Sequence, residues 1–281
     1  MNRNILALGL AALALSGCAP EAPARRAESL APPPVSNDAQ KDLFALKIFR
    51  QAQVAAQQGE AAEAVRLYRQ ALPIYEALGD FDAQAAIHND LGLILRRAGQ
   101  HDKAQAILTQ AVELGRKGRS PEILAEALLN LGMILYDQGQ DAAAEARLGD
   151  AIAAIDADAQ VELRGLAHNA RGNVRRKRDN LKGAIEDYQI AAGVWSELDR
   201  ANFAAVAHMN IGYCQILDRQ GQKAAATLQV AVDLLMSQRP PSADREALVP
   251  HLEALIRHLK TDEAAARAKV LQALGRSPKG G

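Results

Sequence analysis

Small residues recur every forty residues along this chain, and this recurrence constrains the fold more than any other feature. Two series of alanines, which we call the alanine ladders, lie seven residues apart, and a series of large apolar residues lies between them. A series of glycines, with alanine in the first unit, precedes the first ladder. Four series locked to one period indicate a supersecondary unit used five times. The series are Ala64, Ala104, Ala144, Ala184 and Ala224; Ala71, Ala111, Ala151, Ala191 and Ala231; Tyr68, Leu108, Leu148, Tyr188 and Leu228; and Ala52, Gly92, Gly132, Gly172 and Gly212.

The spacing within one unit predicts two helices joined by a turn. The first alanine, the large residue and the second alanine follow at steps of four and three, which places them on one face of a helix. The turn carries Gly59, Gly99 and Gly139 in the first three units, whereas Asp179 and Arg219 replace it later. We therefore expect a sharper break in the early units than in the late ones. One hairpin cannot bury its apolar face alone, so the units must stack.

Polar and small residues give the helices defined starts and contacts. Asp102 and Asp141 open second helices, where a short side-chain oxygen can accept from amides of the first turn. Ser120 and Pro121 open the first helix of unit three. Gly or Ala in the first helix is expected to face Ala in the second, so that the helices approach closely while the large residue fills the gap to the next unit.

This pattern resembles the tetratricopeptide repeat (TPR) family, whose signature is a large residue and Gly in the first helix, then Ala, a large residue and Ala in the second. The resemblance covers residues 37–239 and implies an all-α, right-handed α-solenoid of about five repeats. The period is that of a long-repeat subgroup, and HEAT-type repeats are the alternative of this length. Arg171 departs from the signature, because a large apolar residue is expected there. The matching pairs are Leu91-Gly92, Leu131-Gly132 and Ile211-Gly212.

Residues 240–281 begin with two prolines that stop the fifth unit. They contain two helix-like stretches, 244–259 and 261–274, in which Leu252 and Leu271 replace the glycine and alanine of the other units. We expect a degenerate sixth unit, followed by a tail, that forms a capping helix pair with a more polar outer face.

The first seventeen residues have the features of an export signal. Arg3 precedes an apolar run that is too short to span a bilayer, and the run ends in Leu15-Ser16-Gly17-Cys18, which resembles a bacterial lipobox. The resemblance implies that residues 1–17 are removed and that acyl chains such as palmitate anchor the protein through Cys18. The alternative is a coincidental cysteine after an ordinary signal peptide.

The residues that follow Cys18 indicate where the anchored protein acts. Ala19, which is not Asp, implies retention in the outer membrane by the sorting rule of enterobacteria-like cells. Residues 18–36 are rich in Ala and Pro, a composition typical of a semi-extended tether that holds the repeats on the order of 50 Å from the membrane. We expect a lipid-anchored protein on the periplasmic face of the outer membrane.

Composition and motifs argue against several function classes. The chain has 33 Lys and Arg residues and 33 Asp and Glu residues. It therefore has no net positive charge that would favour binding of nucleic acid. Cys214 is expected to be a buried structural thiol. His88, His168 and His208 share one repeat phase, but stacked units are too far apart to bring the three to one ion. Carboxylates fall at solvent-facing positions, so we expect neither an enzyme, nor a cofactor, nor a metal site.

The TPR resemblance implies that the first helices line a concave binding groove. We define the groove positions as those three before, one after, and four to five after each repeat glycine. Exposed asparagines there can donate to and accept from a peptide backbone, and Arg can hold a carboxylate. The alternative to a binding role is packing in the core or against the cap for the Met and Tyr side chains. For the cations, the alternative is a solvated helix end. The candidates are Asn89, Leu93, Arg96 and Arg97; Leu129, Met133 and Tyr136; Asn169, Asn173, Arg176 and Lys177; and Met209, Tyr213 and Ile216.

These features predict an adaptor that binds another protein, as an extended peptide or a helix, through its groove. The lipoprotein resemblance suggests a scaffold for an envelope assembly, such as pilus, secretin or cell-wall machinery. The competing hypothesis is a self-associating structural lipoprotein, a homodimer formed through apolar first-helix faces. Concentration-dependent sedimentation separates the two.

Overall fold

A computed structural model of the chain describes residues 38–155, 160–238 and 243–276. These residues divide into two compact units. The N-terminal unit comprises residues 38–155, and the C-terminal unit comprises the described residues from 160 onward. The predicted export signal, Cys18 and the tether lie outside the described residues.

The N-terminal unit consists of three helical hairpins. Each odd-numbered helix packs along the even-numbered helix that follows it, and the hairpins stack through the pairs α2 with α3, α4 with α5, and α3 with α5. The helices are α1 (Asp38–Gln57), α2 (Ala61–Leu78), α3 (Phe81–Arg97), α4 (His101–Lys117), α5 (Pro121–Asp137) and α6 (Asp141–Ala154).

The C-terminal unit consists of two hairpins and a terminal helix pair. The hairpins pair α7 with α8 and α9 with α10, α8 contacts α9, and α11 continues the stack on α10. Every described element of the chain is a helix, which confirms the predicted all-α repeat fold with a capping pair. The helices are α7 (Val161–Lys177), α8 (Leu181–Glu197), α9 (Ala201–Leu217), α10 (Gly221–Ser237), α11 (Ala243–Thr261) and α12 (Glu263–Ala273).

The repeated residues form the core of every hairpin. All members of both alanine ladders and of the large series are fully buried. A Cβ atom added to Gly92 would lie 2.5 Å from Leu108 Cγ, and one added to Gly212 would lie 2.5 Å from Leu228 Cδ2. The glycine therefore faces the large residue of its own hairpin, and the expectation that it mainly faces alanine is wrong. The same contact joins Gly132 to Leu148 and Gly172 to Tyr188.

The turn within each hairpin has one backbone conformation in all five repeats. The residue at this position has a φ of 82° at Gly59, 72° at Gly99, 76° at Gly139, 63° at Asp179 and 59° at Arg219. The expectation of a less sharp break in the later units is wrong, because Asp and Arg adopt the same left-handed conformation there. For an L-residue this conformation costs roughly 1–2 kcal/mol.

We therefore expect Arg219→Gly to stabilise the protein. Relief of the left-handed strain exceeds the entropy cost of a more flexible unfolded chain, so the free energy of unfolding should rise by up to about 1 kcal/mol. Urea unfolding measures the change. Arg200→Gly is the control, because Arg200 has a φ of −96°, which suits any residue. An equal gain in both variants would show that the turn is not strained.

Two of the three predicted helix caps differ from the observed ones. Ser120 is the N-cap of α5, and its Oγ accepts from the backbone N–H of Ile123 at 3.3 Å, as expected. The prediction for Asp102 and Asp141 is wrong, because the glutamine before each is the N-cap and makes no side-chain cap bond. Both aspartates lie in the first turn instead, where their charge is favourable to the helix dipole.

Candidate protein-binding surface

Hydrogen bonds join the first helices α3 and α5 across the groove positions of the N-terminal unit. Asn130 Nδ2 donates to Asn89 Oδ1 at 2.8 Å, and Arg96 Nε donates to Asp137 Oδ2 at 2.6 Å. Arg96 Nη1 also lies 4.0 Å from Met133 Sδ. These contacts fix the spacing of the two helices, and they use Asn89 and Arg96 within the fold.

Besides Arg96, four groove positions of this unit are accessible, and we call these four the N-terminal groove face. Leu93, Met133 and Tyr136 are partly buried, and Arg97 is exposed. Asn89 and Leu129 are buried beneath them, at 4% and 5% exposure. The face therefore combines apolar and aromatic surface with a cation at its edge, a combination enriched in the cores of protein interfaces.

A tyrosine and an aspartate form a hydrogen bond near Arg97 of this face. Tyr68 Oη donates to Asp90 Oδ2 at 2.7 Å, which links α2 to α3. Burial raises the pKa of Asp90, whereas hydrogen bonds from Tyr68 and Gln53 and the charge of Arg97 oppose that rise. The sequence pattern does not predict this contact, although Asp90 stands at a repeat phase that holds Asn130 in the next unit.

The groove positions of the C-terminal unit are mostly buried. Asn169 and Asn173 are 5% and 6% exposed, and Arg176 is 8% exposed. The expectation that these asparagines are exposed polar residues is therefore wrong, because neighbouring side chains enclose them. Lys177 is exposed.

A chain of hydrogen bonds accounts for the burial of Asn173 and Arg176. Asn173 Oδ1 accepts from Tyr188 Oη at 2.8 Å and from Arg176 Nη2 at 3.4 Å. Arg176 Nη1 donates to Asn210 Oδ1 at 2.8 Å. The network ties α7 to α8 and α9, and its polar atoms are satisfied as buried groups must be.

Met209 and Tyr213 lie in the core of the C-terminal unit. Their exposed fractions are 5% and 2%, and Tyr213 Oη is hydrogen-bonded to His251 Nε2 of α11 at 2.8 Å. The structure thus places both side chains in the cap packing that the sequence left open as the alternative to binding.

A buried carboxylate with three basic partners occupies the α7–α8 hairpin. Asp187 is 1% exposed and accepts from His168 Nδ1 at 2.8 Å, from Arg171 Nη2 at 2.7 Å and from Arg175 Nη1 at 3.0 Å. Burial alone would raise the pKa of Asp187. The bonds from His168 and Arg171 and the charges of Arg171 and Arg175 outweigh it and lower the pKa below its ordinary value.

This cluster corrects two sequence-based expectations. Asp187 shows that carboxylates do not all fall at solvent-facing positions. Arg171, which departs from the TPR signature, pairs with Asp187 instead of leaving a gap in the packing. The repeats contained a signal, because Arg171 stands at the phase of Leu91 and Leu131, and Asp187 stands at the phase of Leu67 and Ile107.

The described cysteine lies in the interior of the C-terminal unit. Cys214 is a buried free thiol, and burial raises its pKa to about 11, so it is protonated at neutral pH. The described residues hold no group of three or more His, Cys, Asp or Glu suited to a metal ion. Among the same residues, no helix has the length and apolar character needed to cross a membrane.

Comparison with known proteins matches part of the chain to a repeat family. The tetratricopeptide repeat family model matches residues 44–117 and 84–157. The photosystem I assembly protein Ycf3 of Acaryochloris marina is 34% identical over 112 residues, which cover 40% of this chain and 62% of that protein. The match therefore spans less than two thirds of the relative's length.

Solved structures share the fold. YrrB, described as a TPR protein with an unusual peptide-binding site, is 17% identical with a TM-score of 0.51, over 78% of this chain and 98% of YrrB. A signal transduction ATPase with a tetratricopeptide repeat sensor from Pyrococcus horikoshii is 16% identical with a TM-score of 0.66, over 86% of this chain and 37% of the ATPase. The family match covers residues 44–157, as the repeated residues predict, and the solved structures share the helical-repeat fold over most of the chain.

Proposed function

We propose that this protein is an adaptor that binds another protein on its N-terminal groove face and is anchored by lipid in the outer membrane. The observation that carries the proposal is the difference between the two units. Leu93, Met133 and Tyr136 remain accessible in the N-terminal unit, whereas the corresponding Asn173, Tyr213 and Ile216 are buried. The N-terminal groove face thus presents accessible apolar and aromatic surface to a ligand.

The chemistry of this face defines the ligand. Arg96 is engaged by Asp137, so Arg97 is the exposed cation at the edge of the apolar surface. An extended peptide or helix with apolar side chains and one carboxylate matches it, because Arg can hold a carboxylate through two parallel hydrogen bonds.

The relatives support a role in assembly. Ycf3 is named for assembly of photosystem I, and YrrB is described by its peptide-binding site. For this chain the lipobox favours an assembly in the cell envelope, on the periplasmic face of the outer membrane, such as pilus, secretin or cell-wall machinery.

Charge reversal at the edge of the face tests the binding proposal. The full chain carrying Arg97→Glu should bind the partner captured from envelope extract about tenfold more weakly, a loss of about 1.4 kcal/mol. Arg116→Glu is the matched control, because Arg116 is an exposed arginine of the second helix α4. Equal affinities of the two variants for the captured partner would refute the assignment of this face.

The lipobox motivates a separate prediction. Cys18→Ser removes the thiol that would carry the lipid, so the protein should leave the membrane fraction or accumulate as an uncleaved precursor. Cys214→Ser is the control and should stay in the membrane fraction, because Cys214 is buried in the fold. Fractionation with acyl labelling decides the matter. A processed Cys18→Ser protein that remains in the outer membrane would disprove lipid anchoring.

Self-association is the second candidate, and one observation favours it. Ile190 and Val230 are 43% and 42% exposed and share a repeat phase on second helices. The first three units place Gln70, Gln110 and Asp150 at that phase. Concentration-dependent sedimentation that disappears in an Ile190→Glu, Val230→Glu double variant would support a homodimer through this surface.

A further inference from the structure

The C-terminal helix α12 does not pack as the second helix of a sixth repeat. It contacts α9 as well as its neighbour α11. Its first residue, Glu263, lies beside Gly221 at the start of α10, where an added Cβ would be 2.8 Å from Glu263 Oε1. Arg276, three residues after its end, reaches the end of α7. The helix therefore crosses the last turns of α9.

Apolar side chains hold α12 in this position. Ala266 and Val270 are fully buried. Val270 belongs to one apolar cluster with the groove residues Met209 and Tyr213. Leu271 and Leu274 pack against the same cluster and are partly buried. Part of the groove face of the C-terminal unit is thus covered by the chain itself.

A charged group completes the contact. Arg276 Nη2 donates to the backbone carbonyl oxygens of Arg176 at 2.7 Å and Lys177 at 2.6 Å. The last carbonyls of a helix lack partners within the helix, and an arginine can satisfy them. Gly275, with a φ of 69°, turns the chain so that Arg276 points back toward α7.

We propose that residues 263–276, the C-terminal segment, are a built-in ligand of the groove positions in the C-terminal unit. A protein partner that presents an amphipathic helix closed by Gly-Arg would compete with the segment for this site. The inference rests on the proposed function, because it assumes that the repeats bind proteins, and it adds a second, self-occupied site with a defined ligand chemistry.

The contact is suited to exchange. A helix of eleven residues is marginally stable on its own in water, so α12 depends on its packing and on Arg276. The ladder residues of the hairpins are buried by each other across α7 to α10. Release of the C-terminal segment should therefore leave the hairpins folded.

A labelled synthetic peptide of residues 262–276 tests the proposal against the full chain. The unmodified protein should bind the peptide weakly, because its own segment occupies the site. A Val270→Asp, Arg276→Glu variant should release the segment and bind the peptide at least about tenfold more tightly. Arg257→Glu, at an exposed arginine of α11, should bind like the unmodified protein, and a peptide carrying Val270→Asp should bind neither chain.

Hydrogen exchange on the unmodified chain gives a second readout. Excess peptide should speed exchange of the amides of α12 and leave those of α8 and α10 unchanged. Equal peptide affinity of the unmodified and double-variant chains, or no change in α12 exchange at saturating peptide, would overturn the proposal. Because the probe is the chain's own segment, neither result depends on whether Arg97→Glu weakens binding of an external partner.

Discussion

Replacing Asp187 with asparagine is expected to lower the free energy of unfolding by about 3–5 kcal/mol, because removal of one partner leaves buried charges without compensation. Arg171 and Arg175 would keep their charges beside a neutral amide. Urea unfolding followed by the fluorescence of Trp195 measures the loss. Trp195 is the single tryptophan of the chain and lies buried in the same helix, α8.

Asp233→Asn is the control for this prediction. Asp233 is exposed on α10 and accepts one hydrogen bond from Gln229, so its replacement should change the free energy of unfolding by less than about 0.5 kcal/mol. Similar losses in the two variants would show that the cluster around Asp187 does not stabilise the fold.

The same carboxylate predicts how stability depends on pH. The pKa of Asp187 in the folded chain lies below its ordinary value of 3.8. The stability that ionised Asp187 gives the fold is therefore complete above about pH 5. This stability is lost as the pH falls through 3.8 toward the pKa of the folded chain. The unmodified protein should lose more stability on acidification than Asp187→Asn does, as acid titration of the unfolding midpoint would reveal.

Replacing Gly132 with valine is the second large effect we expect. An added Cβ would lie 2.6 Å from Leu148 Cγ and 3.4 Å from the carbonyl oxygen of Ala144. Valine adds two further methyl groups, so α5 and α6 must separate or Leu148 must leave its rotamer, at a cost of about 1–3 kcal/mol. Thermal unfolding followed by circular dichroism measures the loss.

Gly149→Val separates this packing effect from helix propensity. Gly149 lies in α6 of the same hairpin, and an added Cβ there meets no atom within 4 Å. The same substitution should therefore be neutral or stabilising, since valine is a better helix former than glycine. Equal losses at both positions would contradict close packing at the repeat glycine.

The fold was predictable because its signal is local and repeated. Contacts within one hairpin are made by the residues of the alanine ladders, of the large series and of the glycine series. Each contact recurs at a fixed spacing in the sequence. Gly92 meets Leu108 and Gly212 meets Leu228 by the same geometry. The turn at Arg219 was harder to predict, because its left-handed backbone is imposed by the hairpins on a residue that does not prefer it.

The candidate surface was only partly predictable. The phase of a residue in the repeat does not show whether another helix packs over that residue and buries it. Met133 and Tyr213 share one phase, yet Met133 is partly accessible and Tyr213 is buried beneath cap residues. The position of α12 follows from tertiary contacts such as that of Arg276 with α7, and no local pattern encodes them. Asp187 was missed because its partners come from another helix.

Site-specific photocross-linking in cells tests the central claim, binding of another protein on the N-terminal groove face, most directly. A photoreactive residue is placed in the full chain at Leu93 on this face or at Gln110, an exposed position of the second helix α4. We expect a cross-linked product with another protein from position 93 and none from position 110. Cross-links from position 110 alone, or equal yields from both, would contradict the assignment of the binding face.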